Sequence, residues 1–234
     1  MNLPLLDLAE VQAPLPEVIE DQLTVSDDVV IVAFNRRGNL LAGGCQNGTV
    51  VIWDFDTHGV ARSLEGHEGC VTAVSWSRSS RRLLTSSQEG TLYMWDVLNA
   101  TPLQSVHLGG EIGHAALHPC SRSLCLTCIT SGERGGQAFL INLESPAEPP
   151  VPLLALGGDS TAELAGNNEP TSNVTFACFA SEGSLTMVGT SRGTVHVVRT
   201  QTQEVVTMLR MPGARARGAH TRARRACRSK RVCS

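Results

Sequence analysis

Residues 72–96 read TAVSWSRSSRRLLTSSQEGTLYMWD, and 42 positions earlier residues 30–54 read VIVAFNRRGNLLAGGCQNGTVVIWD. The two stretches align without a gap: Phe34 falls on Trp76, Gly48-Thr49 on Gly90-Thr91, and Trp53-Asp54 on Trp95-Asp96. Each copy holds three short β-rich runs separated by turn residues, at 29–34, 39–44 and 49–54 in the first and at 71–76, 82–87 and 91–96 in the second. Strands this short cannot each bury a face alone. The spacing therefore predicts small sheets stacked on one another, with the aromatic that closes each third strand filling the wedge between neighbours. Gly48 and Gly90 stand where a tight hairpin needs a positive φ, after Asn47 and Glu89.

A repeat of roughly 40–45 residues that ends in Trp-Asp, with Gly-His (Gly66-His67) before the next copy, resembles a WD40 propeller blade. The resemblance implies an all-β propeller and a brace within each blade, in which a loop His, a turn Asp, a Ser or Thr and the Trp share hydrogen bonds. In the second copy these places fall on His67, Thr85 or Ser87, and Trp95, with Glu89 where Asp is usual; Trp53 holds the Trp place in the first. Two weaker copies follow. Residues 112–143 keep the rhythm of strand and turn with Ile141-Asn142 in the Trp-Asp slot, and residues 173–199 repeat Gly-Thr at Gly193-Thr194 with Val198 in the Trp place.

The expected organisation is an N-terminal segment (1–28), blade 1 (29–68), blade 2 (69–111), a degenerate blade 3 (112–143), a loop or insertion (144–171), blade 4 (172–212) and a basic disordered tail (213–234). The insertion is rich in Pro, Gly, Ala and Glu and is expected to hold one strand, Leu153 to Leu156. Four blades are few for a WD40 ring, so the chain is expected to be a partial, truncated propeller with an uncovered blade edge. Charge divides in the same way. Residues 1–212 hold 11 Arg against 22 acids, a balance of −11, whereas the last 22 residues carry eight cations and no acid. Such a tail attracts nucleic acid or serves nuclear import through Coulomb forces. A change of composition and pattern at one point is equally what translated noncoding sequence would produce.

Several chemistries are excluded or left without support. The one Lys is Lys230, so there is no P-loop, Schiff-base or kinase lysine earlier in the chain. The spacing Cys120-x4-Cys125-x2-Cys128 matches three ligands of an iron-sulfur site, but on a strand Cys125 and Cys128 point to opposite faces. His114 and His118 would be placed for one metal on a helix, whereas this run reads as a strand ending at Pro119. No catalytic constellation, metal, cofactor or small-molecule substrate is expected. The N-terminus has no positive n-region, and no stretch approaches the roughly 18–20 apolar residues of a membrane span. Eight Cys without a framework then predict reduced thiols in cytosol or nucleus, and silent sequons at Asn47, Asn99 and Asn173.

A closer resemblance rests on the opening Met-Asn-Leu-x-Leu-Leu, on Phe34-Asn35-Arg36-Arg37-Gly38-Asn39-Leu40-Leu41-Ala42, on Val51-Ile52-Trp53-Asp54-Phe55, and on Trp76-Ser77-Arg78 with Trp95-Asp96-Val97-Leu98. These resemble the amino-terminal blades of the retinoblastoma-binding protein 5 family, WD40 core subunits of the COMPASS and MLL-type complexes that methylate lysine 4 of the histone 3 tail. The resemblance implies a non-catalytic nuclear scaffold. Its implied partners are a SET-domain methyltransferase, an Ash2-type subunit, a second WD40 subunit and the nucleosome, without contact to a membrane. Arg36, Arg37, Arg78, Arg81 and Arg82 lie in turns between first and second strands, as contacts to phosphate or acidic partners or as solvated turn charges. Two other function classes stay open: an unrelated WD40 adaptor such as a ubiquitin-ligase substrate receptor, and a nucleic-acid binder acting through the tail.

Overall fold

The computed structural model describes residues 22–131, 136–145, 148–153 and 173–210; the tail at 213–234, the first 21 residues and most of the insertion lie outside them. Sixteen strands form four antiparallel four-stranded sheets, each made of four strands consecutive in the chain. Blade 1 comprises β1 (Val29–Phe34), β2 (Leu40–Cys45), β3 (Val50–Asp54) and β4 (Gly59–Leu64). Blade 2 comprises β5 (Val71–Trp76), β6 (Arg82–Ser87), β7 (Thr91–Asp96) and β8 (Thr101–His107). Blade 3 holds β9 (Ile112–Leu117), β10 (Leu124–Ile129), β11 (Gln137–Asn142) and β12 (Val151–Pro152), and blade 4 holds β13 (Val174–Phe179), β14 (Leu185–Thr190), β15 (Thr194–Arg199) and β16 (Val205–Arg210). The first strands β1, β5 and β9 pack side by side, and among the described residues the four blades form an open arc of a propeller.

Alternation along each strand distributes the apolar residues between two neighbours. Leu83 faces blade 1 together with Ala42, Ile52, Val71 and Trp95, while adjacent Leu84 faces blade 3 together with Met94, Ile112 and Ile141. A third core, between blades 3 and 4, contains Leu126, Leu140, Ala177, Val188 and Val198. The Trp-slot residue of each blade thus fills the wedge towards the preceding blade. Trp53, in the first of the described blades, packs against Leu23 and Val25 of the segment that leads into it. On the far side of blade 4, β16 is exposed throughout and Val205, Val206, Met208 and Leu209 stand half uncovered.

Register establishes the equivalence of the Trp places. A register shift falls immediately before Trp53 in β3–β4, before Trp95 in β7–β8 and before Val198 in β15–β16. Each shift is a local bulge that twists the strand and re-aims the side chain after it. Gly48 and Gly90 do adopt positive φ, at 93° and 88°. Two features differ from the sequence expectation. The outer strands β4 and β8 add a fourth member to each early blade; their largely exposed residues carry no apolar run that would mark them. Of the strand expected at Leu153 to Leu156, all but Leu153 lies outside the described residues; the strand described before it is Val151–Pro152, pairing with Leu140 and Phe139. Pro152 has no N–H to offer, and Leu153 N–H donates to the Ala138 carbonyl at 2.9 Å in its stead.

Candidate functional site

Buried polar side chains from a loop and two strands meet in blade 2. Thr85, on β6, is fully buried between the loop that carries His67 and the indole of Trp95 on β7. Trp95 Nε1–H donates to Thr85 Oγ1 at 2.8 Å, and Thr85 Oγ1 lies 2.6 Å from His67 Nε2. The indole is donor-only, so the Thr85 oxygen accepts there, and the Thr85 hydroxyl and His67 Nε2 share the second hydrogen bond. The other ring nitrogen of His67 is Nδ1. That atom is buried and has no partner. Tyr93 completes the packing, its ring 4.8 Å from His67 and 5.1 Å from Trp95. Ser87, the alternative to Thr85, is buried without a partner and takes no part in the brace. Glu89 stands in the Asp place but folds over Gly69 and leaves Nδ1 unsatisfied.

The other blades show why the brace is single. Stepping back 42 residues, His67, Thr85 and Trp95 become Val25, Gly43 and Trp53. Gly43 has no hydroxyl, and a Cβ there would run into the Trp53 ring, so Trp53 Nε1 is buried without an acceptor. In blade 3 the equivalent hydroxyl survives on Thr127, but Ile141 replaces the indole, leaving Thr127 with no partner beyond the neighbouring Cys125 thiol. Blade 4 has Val188 and Val198 at these places, both fully buried. Trp53→Phe is accordingly expected to change stability by less than about 1 kcal/mol, because it removes an N–H that already lacks a partner. Trp95→Phe breaks a bond that Thr85 depends on and is expected to cost clearly more in the same thermal melt.

Burial pushes the His67 imidazole down to about 4 from its ordinary 6.5. A folded-state value below the unfolded one means that the unfolded chain binds the extra proton between these limits. Stability from this group is thus full above pH 6.5 and is lost as pH falls towards 4. At pH 5 the loss is on the order of 1–2 kcal/mol. Urea titrations at pH 7 and pH 5 are expected to show it, and His67→Gln is expected to flatten the dependence.

The arginine-bearing turns come together on one rim, where every blade turns from its first strand to its second. Asn35 Nδ2 reaches Ser80 Oγ at 3.2 Å, joining the turns of blades 1 and 2. Arg82 Nη1 donates to the Arg122 carbonyl at 3.1 Å, joining blades 2 and 3. His118 Nε2 lies 3.2 Å from the Gly183 carbonyl, joining blades 3 and 4. Its Nδ1 accepts from Cys120 and Ser121 N–H, so Nε2 is the protonated nitrogen and donates. Arg36, Arg37, Arg78 and Arg81 are exposed on this rim, and among the described residues their guanidiniums meet no carboxylate. Arg82 is half-buried and lies 3.9 Å from Glu144. Two residues that the sequence argument assigned to no site join them: Phe34 and Phe55 form a T-shaped pair with ring centroids 5.1 Å apart.

The remaining clusters are structural. Cys125 packs between blades 2 and 3 and Cys128 between blades 3 and 4, on opposite faces of β10, and burial pushes both thiols up to about 12. Cys120 is exposed and apart from them. His114 stacks on Phe176 at 4.4 Å, away from the turn that His118 holds.

Comparison with known proteins agrees with this architecture. The WD domain, G-beta repeat model matches residues 21–54 and 59–96. Retinoblastoma-binding-like protein E of Dictyostelium discoideum is 33% identical over 85% of this chain and 39% of its own length. The Set1 complex component swd1 of Schizosaccharomyces pombe is 28% identical over 88% of this chain and 50% of its own. The chain spans half or less of the length of these relatives. Among solved structures, the β-propeller domain of Cps50 (Swd1) from Myceliophteria thermophila superposes with a TM-score of 0.72 at 28% identity, over 82% of this chain and 58% of that one. A gapless WD repeat, the bulge that recurs before the Trp place of blades 1, 2 and 4, and these relatives together make the chain a WD-repeat propeller protein of the retinoblastoma-binding protein 5 and Swd1 family.

Proposed function

We propose that the chain is a non-catalytic WD40 scaffold subunit of a COMPASS-type complex that methylates lysine 4 of histone 3, acting on chromatin in the nucleus. The observation that carries this reading is the similarity, over most of the chain, to a component named for the Set1 complex, together with a propeller superposition on a second Swd1. The chemistry of the blades supports the absence of catalysis. His67 and Thr85 are consumed in a brace, and the Cys125 and Cys128 thiols are too buried and too weakly acidic to act as nucleophiles. Stacked blades offer rigid rims to several partners at once. The partners in this reading are a SET-domain methyltransferase, an Ash2-type subunit, a second WD40 subunit and the nucleosome.

Affinity purification of the tagged chain from nuclear extract, followed by mass spectrometry, tests the assignment. Recovery of the methyltransferase and its companion subunits is the expected result. Recovery of a cullin linker in their place would make the chain a ubiquitin-ligase adaptor, and the scaffold reading would be abandoned.

A further inference from the structure

We infer that the rim joining the first-to-second strand turns of blades 1 and 2 docks an acidic, extended segment of a partner protein, with one apolar side chain of that segment seated against Phe34 and Phe55. Nothing in a blade requires these two phenylalanines. One closes β1 and the other follows β3, outside all the inter-blade cores, yet the fold brings them together with 51% and 42% of their surfaces exposed. Exposed aromatics beside arginine, without lysine, are the composition of an interface centre rather than of an ordinary surface.

The notch is rigid before anything binds. Asn35, between Phe34 and Arg36, is buried and spends both ends of its amide: Nδ2 donates to Asn39 Oδ1 at 2.8 Å and to Ser80 Oγ at 3.2 Å, while Oδ1 accepts from Leu40 N–H at 3.2 Å. Little ordering is left to do at the turn on association. Around the notch Arg36, Arg37, Arg78 and Arg81 carry unneutralised charge. The carboxylates on the same side are largely occupied or distant: Asp54 accepts from Asp56 and Thr57 N–H, Asp96 from Leu98 N–H and the Asn99 amide, and Glu144 sits near Arg82. Asp56, next to Phe55 in the chain, has no side-chain partner among the described residues.

The chemistry selects a protein segment over nucleic acid. A phosphate backbone would satisfy the arginines but leave the phenylalanine pair unused. Phe55 is already engaged in T-shaped contacts with Phe34 and, at 6.1 Å between centroids, with His58, which leaves less of the pair for base stacking than for a single aliphatic or aromatic anchor. The −11 balance of residues 1–212 also repels a polyanion at long range, while a short acidic segment feels chiefly the nearby arginines once salt screens the rest.

Fluorescence anisotropy of the full chain with a labelled peptide of alternating Glu and Ser and one central Phe is the test. A matching peptide with Ser at the centre and a labelled DNA duplex run beside it. The chain is expected to bind the anchored peptide about tenfold more tightly than the anchor-free one. Phe34→Ser with Phe55→Ser should abolish that discrimination, and Arg36→Glu with Arg37→Glu should weaken both peptides. The eight cations of residues 213–234 would attract both acidic peptides alike, so the ratio isolates the notch. All four positions are exposed, and unchanged thermal melts will show that the variants fold. Equal binding of the two peptides by the unaltered chain, discrimination that survives the double Phe replacement, or loss of duplex binding alone in those variants would overturn the assignment.

Discussion

Trp95→Ala is expected to lower the unfolding free energy by about 3–5 kcal/mol, a large share of what a domain of this size holds. Three losses add up at this position. The indole is almost entirely buried among Ala42, Ile52, Leu64, Val71 and Leu83, and its removal opens a cavity at the seam between blades 1 and 2. Its N–H is the donor to Thr85, so the Thr85–His67 pair is left half satisfied in an apolar setting. Tyr93 also loses the neighbour it stacks on. Ile141 and Val198 occupy the same place in blades 3 and 4 without polar partners, and Val198→Ala should cost less, about 1–3 kcal/mol from lost burial alone. Chemical denaturation of the two variants gives the comparison. Equal losses at Trp95 and Val198 would show that the brace contributes nothing beyond packing.

Gly90→Ala ranks second. The residue sits at φ 88°, where an L side chain is strained by about 1–2 kcal/mol. A Cβ there would also meet the carbonyl oxygen of Gly110 in the loop entering blade 3, which is backbone and has little room to give. The combined cost is expected to exceed about 2 kcal/mol. Gly38→Ala supplies the internal reference: its φ is 76°, but nothing lies within 4 Å of the added atom, so strain alone remains. A smaller loss at Gly38 than at Gly90, read from melting curves, separates the steric part from the conformational part.

The parts of this molecule that were legible in the sequence are those set by short-range periodicity. The three inner strands of blades 1 and 2 follow from turn residues at a fixed period, and Val198 could be placed in the Trp slot because Gly193-Thr194 anchors the same hairpin. Outer strands β4 and β8 escaped notice because an edge that faces solvent needs no apolar pattern. The choice between Thr85 and Ser87 was not legible either. Residues two apart on a strand point the same way, and only depth in the sheet brings Thr85, not Ser87, to the indole.

The absence of a brace around Trp53 depends on Gly43 and Val25, which became informative once the blades were superposed position by position. The rim was hidden for a different reason. Its three links, Asn35 to Ser80, Arg82 to Arg122 and His118 to Gly183, join residues 45, 40 and 65 positions apart, and no local pattern announces them. The Phe34–Phe55 pair is an intermediate case. Phe-Asn-Arg and Trp-Asp-Phe stood out as more than a blade needs, and the fold shows why they occur together.

Methyl transfer, measured in two preparations of the same chain, tests the scaffold assignment most directly. One preparation is the tagged chain isolated from nuclei with whatever it holds, and the other is the chain made alone in bacteria; both are given S-adenosylmethionine and unmodified histone 3. The nuclear preparation is predicted to methylate lysine 4 and the isolated chain to transfer nothing, because its buried His67, Thr85 and thiols are committed to structure. Methylation by the isolated chain, or a nuclear preparation that contains the chain but no activity towards lysine 4, would contradict the account.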